Sequence, residues 1–140
     1  MIKMRFPGGV KKALTLSYDD GCYDDIRLME LMDRYGIKGT FNISSGLYRP
    51  EGTQPEGPWP RLTRTEALKH YKEHGVEVAV HGYVHRDFTR LTDAELCYEI
   101  SADRAALEQD YGGVVRGAAY PSGSYNARAV EALRANGNKY

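Results

Sequence analysis

Short strand-like runs alternate with helically spaced ones along this chain, and that alternation restricts the fold more than any single residue does. Residues 13–18 (ALTLSY), 39–44 (GTFNIS), 76–80 (VEVAV) and 114–119 read as strands. After the first, Leu28, Leu31, Met32 and Tyr35 recur at helical spacing, and Gly36 supplies the stop. Thr63 with Glu66, and Thr92 with Glu95, form capping-box pairs that open two further helices. One runs to about His74. The other carries Leu96, Ile100, Ala105 and Leu107 toward Tyr111 and the Gly112-Gly113 terminator. Residues 127–135 read as a last helix and 138–140 as the start of a fifth strand. Strand–helix repetition of this kind implies right-handed crossovers and a parallel sheet or barrel.

The 140 residues suffice for one domain, 1–140, with a real core. Lys plus Arg is 19 and Asp plus Glu is 19. A net charge of zero, with no basic run, provides no field for nucleic acid or an anionic membrane surface. No stretch approaches membrane-spanning length. Cys22 and Cys97 lie far apart, outside any CxxC pair, and read as free thiols. The basic N-terminus lacks the apolar core of a signal peptide, so the sequence as given reads as cytoplasmic. A trimmed secreted or cell-envelope protein would read the same way.

In a parallel α/β fold the C-terminal ends of the strands share one rim, and sites form there. Asp19-Asp20-Gly21, the segment His81 to His85 and the segment Tyr120 to Gly123 each follow a predicted strand. Taken singly, each has a plain explanation: a turn or helix cap, an incidental histidine pair, ordinary turn chemistry. Converging on one rim, they offer two imidazoles and a carboxylate. That set would hold a divalent cation with positions open for water and substrate. The adjacency of two aspartates then has a use, since one can ligate while its neighbour takes a proton from water.

SYDDG (Ser17 to Gly21), HGYVH (His81 to His85) and AYPSG (Ala119 to Gly123) resemble, in order and spacing, the first three motifs of polysaccharide deacetylases. These form the NodB-homology group, carbohydrate esterase family 4. The similarity extends through most of the chain, including HRDFTRLTDAEL after the second motif. By this resemblance Asp19 is the general base and Asp20 the metal ligand, with His81 and His85 completing the ligand set. The N–H of Ser122, after Pro121, would hold the developing oxyanion, and Tyr120, Pro121 and Ser122 would contact substrate. The implied reaction is hydrolysis of an N-acetyl, sometimes O-acetyl, group on an amino sugar, a carbon–nitrogen bond other than a peptide bond. The implied fold is a distorted, incomplete (β/α) barrel, truncated after about four to five β/α units. Zinc suits the donor set, and cobalt or nickel fits similar geometry.

This chain departs from the family pattern at three places. Gly82 stands where a Ser or Thr hydroxyl usually steadies the loop. Ala119 stands where the third motif usually begins with arginine; Arg116 either reaches the base instead or is a surface residue. The downstream Asp-Trp and Leu-x-His elements, the latter supplying a catalytic acid, find no counterpart before Tyr140. His70 and His74 sit near a helix end and read as solvated. The expectation is a polypeptide that binds a divalent cation and is weakly active or inactive alone, with an open sheet edge that offers a route to homo-oligomers.

Smaller signals lie beside these. Residues 45–61 hold Pro50, Pro55, Pro58 and Pro60 and read as a long irregular loop, a type that often carries function. Trp59 on it would stack on a sugar ring or pin the loop. Cys22 reads as a buried thiol rather than a soft ligand. Tyr83 and Tyr120 line an acetyl pocket or simply pack. Two other functions compete: a metal amidohydrolase acting on a small non-sugar amide, and a non-catalytic remnant that keeps metal or carbohydrate binding.

Overall fold

The computed structural model of the protein describes residues 6–139. Three strands, β1 (Ser17–Asp19), β2 (Thr40–Ile43) and β3 (Glu77–Val80), form a parallel sheet in the order β1-β2-β3. Ser17, Tyr18 and Asp19 pair with Thr40, Phe41 and Asn42; Ile43 pairs with Val80. Phe41, Asn42 and Ile43 are all buried, as a strand covered on both faces of a parallel sheet should be. Four helices accompany the sheet: α1 (Asp25–Arg34), α2 (Arg64–Glu73), α3 (Asp93–Tyr111) and α4 (Ala127–Ala135). This is the α/β alternation that the sequence predicts.

Both capping boxes form. Thr63 accepts from the Glu66 amide at the head of α2 and Thr92 from that of Glu95 at the head of α3, with each glutamate reaching back to the cap amide. Gly112 ends α3 in the left-handed conformation, at φ 74°. Met29 and Met32 of α1, Phe41 and Ile43 of β2, and Ala67 and Tyr71 of α2 share one apolar cluster. Phe88, Leu91, Leu96, Ile100, Ala129 and Leu133 form a second, between the segment after β3 and helices α3 and α4. No helix among the described residues is long and apolar enough to cross a membrane.

Four expectations need correcting. In α1 the buried face is Asp25, Met29 and Met32, while Leu31 is 39% and Tyr35 71% exposed. Two adjacent apolar pairs, Leu28-Met29 and Leu31-Met32, leave the phase of the stripe ambiguous, and packing selects the methionines. In α3, Ala105 is exposed; its stripe is completed by Glu99 and Asp103, both buried. The first strand covers Ser17–Asp19 rather than residues 13–18, because β2 opposes only Ser17, Tyr18 and Asp19. Residues 114–119 run beside β3 but join it through one bridge, Val80 to Ala118, flanked by Gly117, which adds no side chain to the ladder.

The alternation nevertheless continues beyond β3. The Val80 amide donates to Gly117 O at 3.1 Å and the Ala119 amide to Val80 O at 2.8 Å. The Lys139 amide donates in turn to Arg116 O at 2.8 Å, so residues 138 and 139 run next to that segment. Tyr140, the end of the expected fifth strand, lies outside the described residues.

Candidate functional site

β1 and β3 deliver the acids and the histidines to the same rim. Successive side chains of an extended strand point to opposite faces, so Asp19 and Asp20 would separate if the strand continued. It does not. Asp20 takes φ 82° and Gly21 φ 67°, and the turn brings both carboxylates over the strand ends. The Asp20 amide is held by Asn42 O at 2.9 Å. A left-handed aspartate costs on the order of 1–2 kcal/mol, which the surrounding bonds must offset. Among the described residues three non-glycines have positive φ: Asp20, His85 and Ser122, at 82°, 57° and 57°. One falls in each of the three sequence motifs. Local strain concentrated in this way marks functional segments.

Asp20, His81 and His85 each offer a ligand atom, and these atoms lie within 4.8 Å of one another. His85 Nε2 is 3.4 Å from Asp20 Oδ1, and the two imidazole centroids are 4.8 Å apart. Asp19 sits to the side, its Oδ2 3.9 Å from His81 Nε2. The donor set fits a divalent cation such as zinc on chemical grounds, two imidazole nitrogens and a carboxylate oxygen. His81 is already arranged for the role. Its Nδ1 lies 3.1 Å from Ala119 O, an N–H donor to that carbonyl that turns the Nε2 lone pair to the rim. Burial, the largest influence on its ring, lowers its pKa and favours the neutral imidazole that ligation requires.

Several neighbours hold these groups, and the sequence reading missed them. Asn42 Nδ2 donates to Asp19 Oδ1 at 2.7 Å and to Ser17 Oγ at 2.7 Å. Arg61 Nη2 lies 3.0 Å from Asp20 Oδ1, and its Nη1 donates to the Asp20 carbonyl. The Arg61 segment is fixed there by backbone bonds from Leu62 N to Gly21 O and from Tyr23 N to Pro60 O. Helix α3 supports the histidines through Asp103 and Glu99: His81 N donates to Asp103 Oδ2 and Val84 N to Glu99 Oε2, each at 2.9 Å. One polar residue inside the apolar run TFNI, and two acids interrupting the stripe of α3, were signals available in the sequence. Arg61, in an irregular loop, gave none.

The remaining candidates separate. Pro121 is buried and Ser122 exposed in a 3₁₀ turn (Pro121–Gly123), joined to the site through the Ala119 carbonyl that meets His81. Tyr120 packs on Tyr125 at 5.5 Å and Tyr83 on Tyr98 at 5.8 Å. Arg116 is exposed, and it is Asn42 that meets Asp19. His74 is not the solvated residue expected: its Nδ1 is 2.6 Å from Asp33. Cys22 is half-buried, and burial raises its pKa, which keeps it a thiol. A cavity of about 500 Å³ adjoins Asp19 and Asp20, with Cys22, Asp24 and Trp59 in its wall, and Trp59 is 75% exposed.

The family model for polysaccharide deacetylases matches residues 8–140, nearly the whole chain. The chain belongs to the polysaccharide deacetylase family. Solved structures share the fold. The Streptococcus pyogenes deacetylase PplD, in complex with acetate, superposes with a TM-score of 0.79 at 22% identity, over 91% of this chain and 54% of that one. A family 4 carbohydrate esterase from Streptomyces lividans gives 0.72 at 22% identity, over 92% and 61%. A family 4 pseudoenzyme from Bacillus anthracis gives 0.73 at 20% identity, over 95% and 43%. This chain therefore spans about half the length of the deacetylase structures it matches. No curated protein sequence matches it.

Proposed function

We propose that this polysaccharide deacetylase domain is a metal-dependent hydrolase that removes the acetyl group from an N-acetylated amino sugar, with zinc as its ion. The observation that carries the reading is the meeting of Asp20, His81 and His85 within 4.8 Å, beside a second carboxylate, Asp19. Asp20, His81 and His85 would hold the cation, which when bound supplies Lewis acidity toward a carbonyl and its attacking water. Asp19 takes a proton from that water as the water oxygen adds to the acetyl carbon. Asn42 engages Oδ1 of Asp19 and leaves Oδ2, the oxygen nearer His81, for the proton. The Ser122 N–H donates to the oxygen that becomes negative. The carbon–nitrogen bond then breaks, acetate leaves, and the departing nitrogen takes up the proton that Asp19 accepted from the water.

Trp59 and the adjoining cavity supply a surface for the sugar, since the face of an indole suits the apolar face of a pyranose. Acetate release from N-acetylated chitooligosaccharides, in the presence of zinc and after its removal by chelator, tests the reading. One metal per chain, and release abolished in Asp20→Ala and Asp19→Asn, are the expected results. Metal stoichiometry unchanged in Asp20→Ala and His81→Ala would refute the site.

A non-catalytic module that keeps metal binding is the second reading. It is favoured by Ala119, which stands where the family pattern carries an arginine. Full metal occupancy without acetate release would support it.

A further inference from the structure

We propose that Glu99 and Asp103 of α3 are positioning residues that hold the loop from His81 to His85 in its ligating shape, an inference that rests on the metal-site reading. The loop leaves β3 and must present two imidazoles to one point. Three of its amides are held by these two helix residues. His81 N donates to Asp103 Oδ2 at 2.9 Å and, more weakly, to Ile43 O at 3.2 Å; Tyr83 N donates to the Glu99 carbonyl at 3.0 Å and Val84 N to Glu99 Oε2 at 2.9 Å. The His85 amide closes the turn on Gly82 O at 3.3 Å. Asp103 also receives Ser45 N at 2.8 Å and Ser45 Oγ at 2.5 Å, so it joins the segment after β2 to the histidine loop.

Both acids lie one helical turn apart on the same face of α3, with 2% and 0% of their surface exposed. Neither meets a cation among the described residues. A buried carboxylate is costly, and an apolar side chain would serve helix packing better. Their oxygens face loop amides and a serine instead. The chemistry matches orientation of the loop rather than cohesion of the core.

Gly82 shows why the helix must do this work. It has φ 78°, and a Cβ built on it would lie 2.9 Å from Phe88 Cε1 and 3.3 Å from Glu99 Oε2. Phe88 is fully buried, so relieving that contact means shifting a core ring. A serine or threonine there would meet the same carboxylate oxygen that accepts from Val84. In this chain Phe88 and Glu99 together crowd the position that any side chain at residue 82 would take, and its φ of 78° favours glycine there.

Cobalt(II), whose visible absorption reports ligand geometry, is the probe. Wild-type chain, Glu99→Gln, Glu99→Asp, Asp103→Asn and Gly82→Ser are titrated with cobalt, and the melting temperature of each metal-free protein is measured alongside. Glu99→Gln and Asp103→Asn are expected to weaken cobalt binding by about ten- to a hundredfold, the range for outer-shell partners of ligands, and to alter the absorption band. Glu99→Asp keeps the charge and withdraws the oxygens by one methylene. Weakened binding in it at a near wild-type melting temperature separates positioning from stability. Gly82→Ser, which supplies the hydroxyl, should weaken binding as well. Unchanged affinity and spectrum in the folded variants, or tighter binding by Gly82→Ser, would overturn the inference while the metal site stood. Wild-type chain that binds no cobalt would overturn both.

Discussion

The side-chain nitrogen of Asn42 lies 2.7 Å from Oδ1 of Asp19, joining the central strand to the carboxylate we assign as the base. The two residues are register partners in β2 and β1, so the sheet itself sets their spacing. The same nitrogen also donates to Ser17 Oγ at 2.7 Å, with a longer contact to the Tyr18 carbonyl at 3.3 Å. Replacing Asn42 with alanine frees Asp19 to rotate and removes a hydrogen bond to a charged group, worth about 1.5–3 kcal/mol. A loss of roughly tenfold or more in kcat follows from about 1.4 kcal/mol. Metal affinity should change little, because Asn42 bonds none of the three ligand side chains. Steady-state kinetics paired with zinc titration check it; wild-type kcat in Asn42→Ala would remove Asn42 from the account.

Two buried aspartates each contribute a loss of stability as pH rises through the weakly acidic range, opposite in sign to the contribution of Glu95, whose pKa is held down to about 2. Burial pushes the pKa of Asp25 up to about 6, against the stabilising bond it accepts from Tyr71 at 2.6 Å. Burial does the same to Asp103, also to about 6. Below about pH 4 both groups are protonated in the folded and unfolded chains. Between about 4 and 6 the folded chain holds protons that the unfolded chain has lost, so stability declines as pH rises. Asp25→Asn keeps an acceptor for Tyr71 and removes one titration. Its melting temperature should vary less across pH 4 to 6.5 than that of the wild type, and exceed it near neutral pH. Thermal melts at several pH values test the sign; an unchanged slope would contradict the assignment to Asp25.

Much of this was legible in the sequence because it is written in local chemistry. Thr63, Glu66, Thr92 and Glu95 place the starts of α2 and α3, since a capping box is satisfied within four residues. The convergence of Asp19, Asp20, His81 and His85 followed from the shared polarity of parallel strands. Contacts set by packing were not legible. The face of α1 turned on Met29 against Leu31, which periodicity alone left open. Arg61 reaches Asp20 across 41 positions, from a loop whose path no pattern fixes. Glu99 and Asp103 interrupt the apolar stripe of α3, but only the packed histidine loop shows which amides they hold.

Trp59 is the one tryptophan in the chain, so its fluorescence reports directly on the cavity beside Asp19. An exposed indole that receives a pyranose loses water contact. Titration with a chitooligosaccharide should shift its emission to shorter wavelength and saturate. Trp59→Ala should raise KM several-fold, up to about tenfold for a stacking contact of about 0.5–1.5 kcal/mol, with kcat largely kept. Emission indifferent to saccharide, with unchanged KM in the variant, would leave Trp59 as a loop anchor.

Metal binding should also be visible as stability, independent of any substrate. A ligand that binds only the folded chain adds about 2.7 kcal/mol at a hundredfold excess over its Kd. For a chain of this length that corresponds to a rise of roughly 8 °C in Tm. His81 and His85 lie on a loop held by α3, while Asp20 closes β1, so a shared cation would link two segments far apart in sequence. Zinc should therefore raise the Tm of the wild type, and chelator should reverse it. Asp20→Ala and His85→Ala should each lose the increment. Asp19→Asn, beside the ligands but outside the set, should keep it, which separates ligand from base without an activity assay. Loss of the increment in Asp19→Asn with its retention in Asp20→Ala would exchange the roles of the two aspartates.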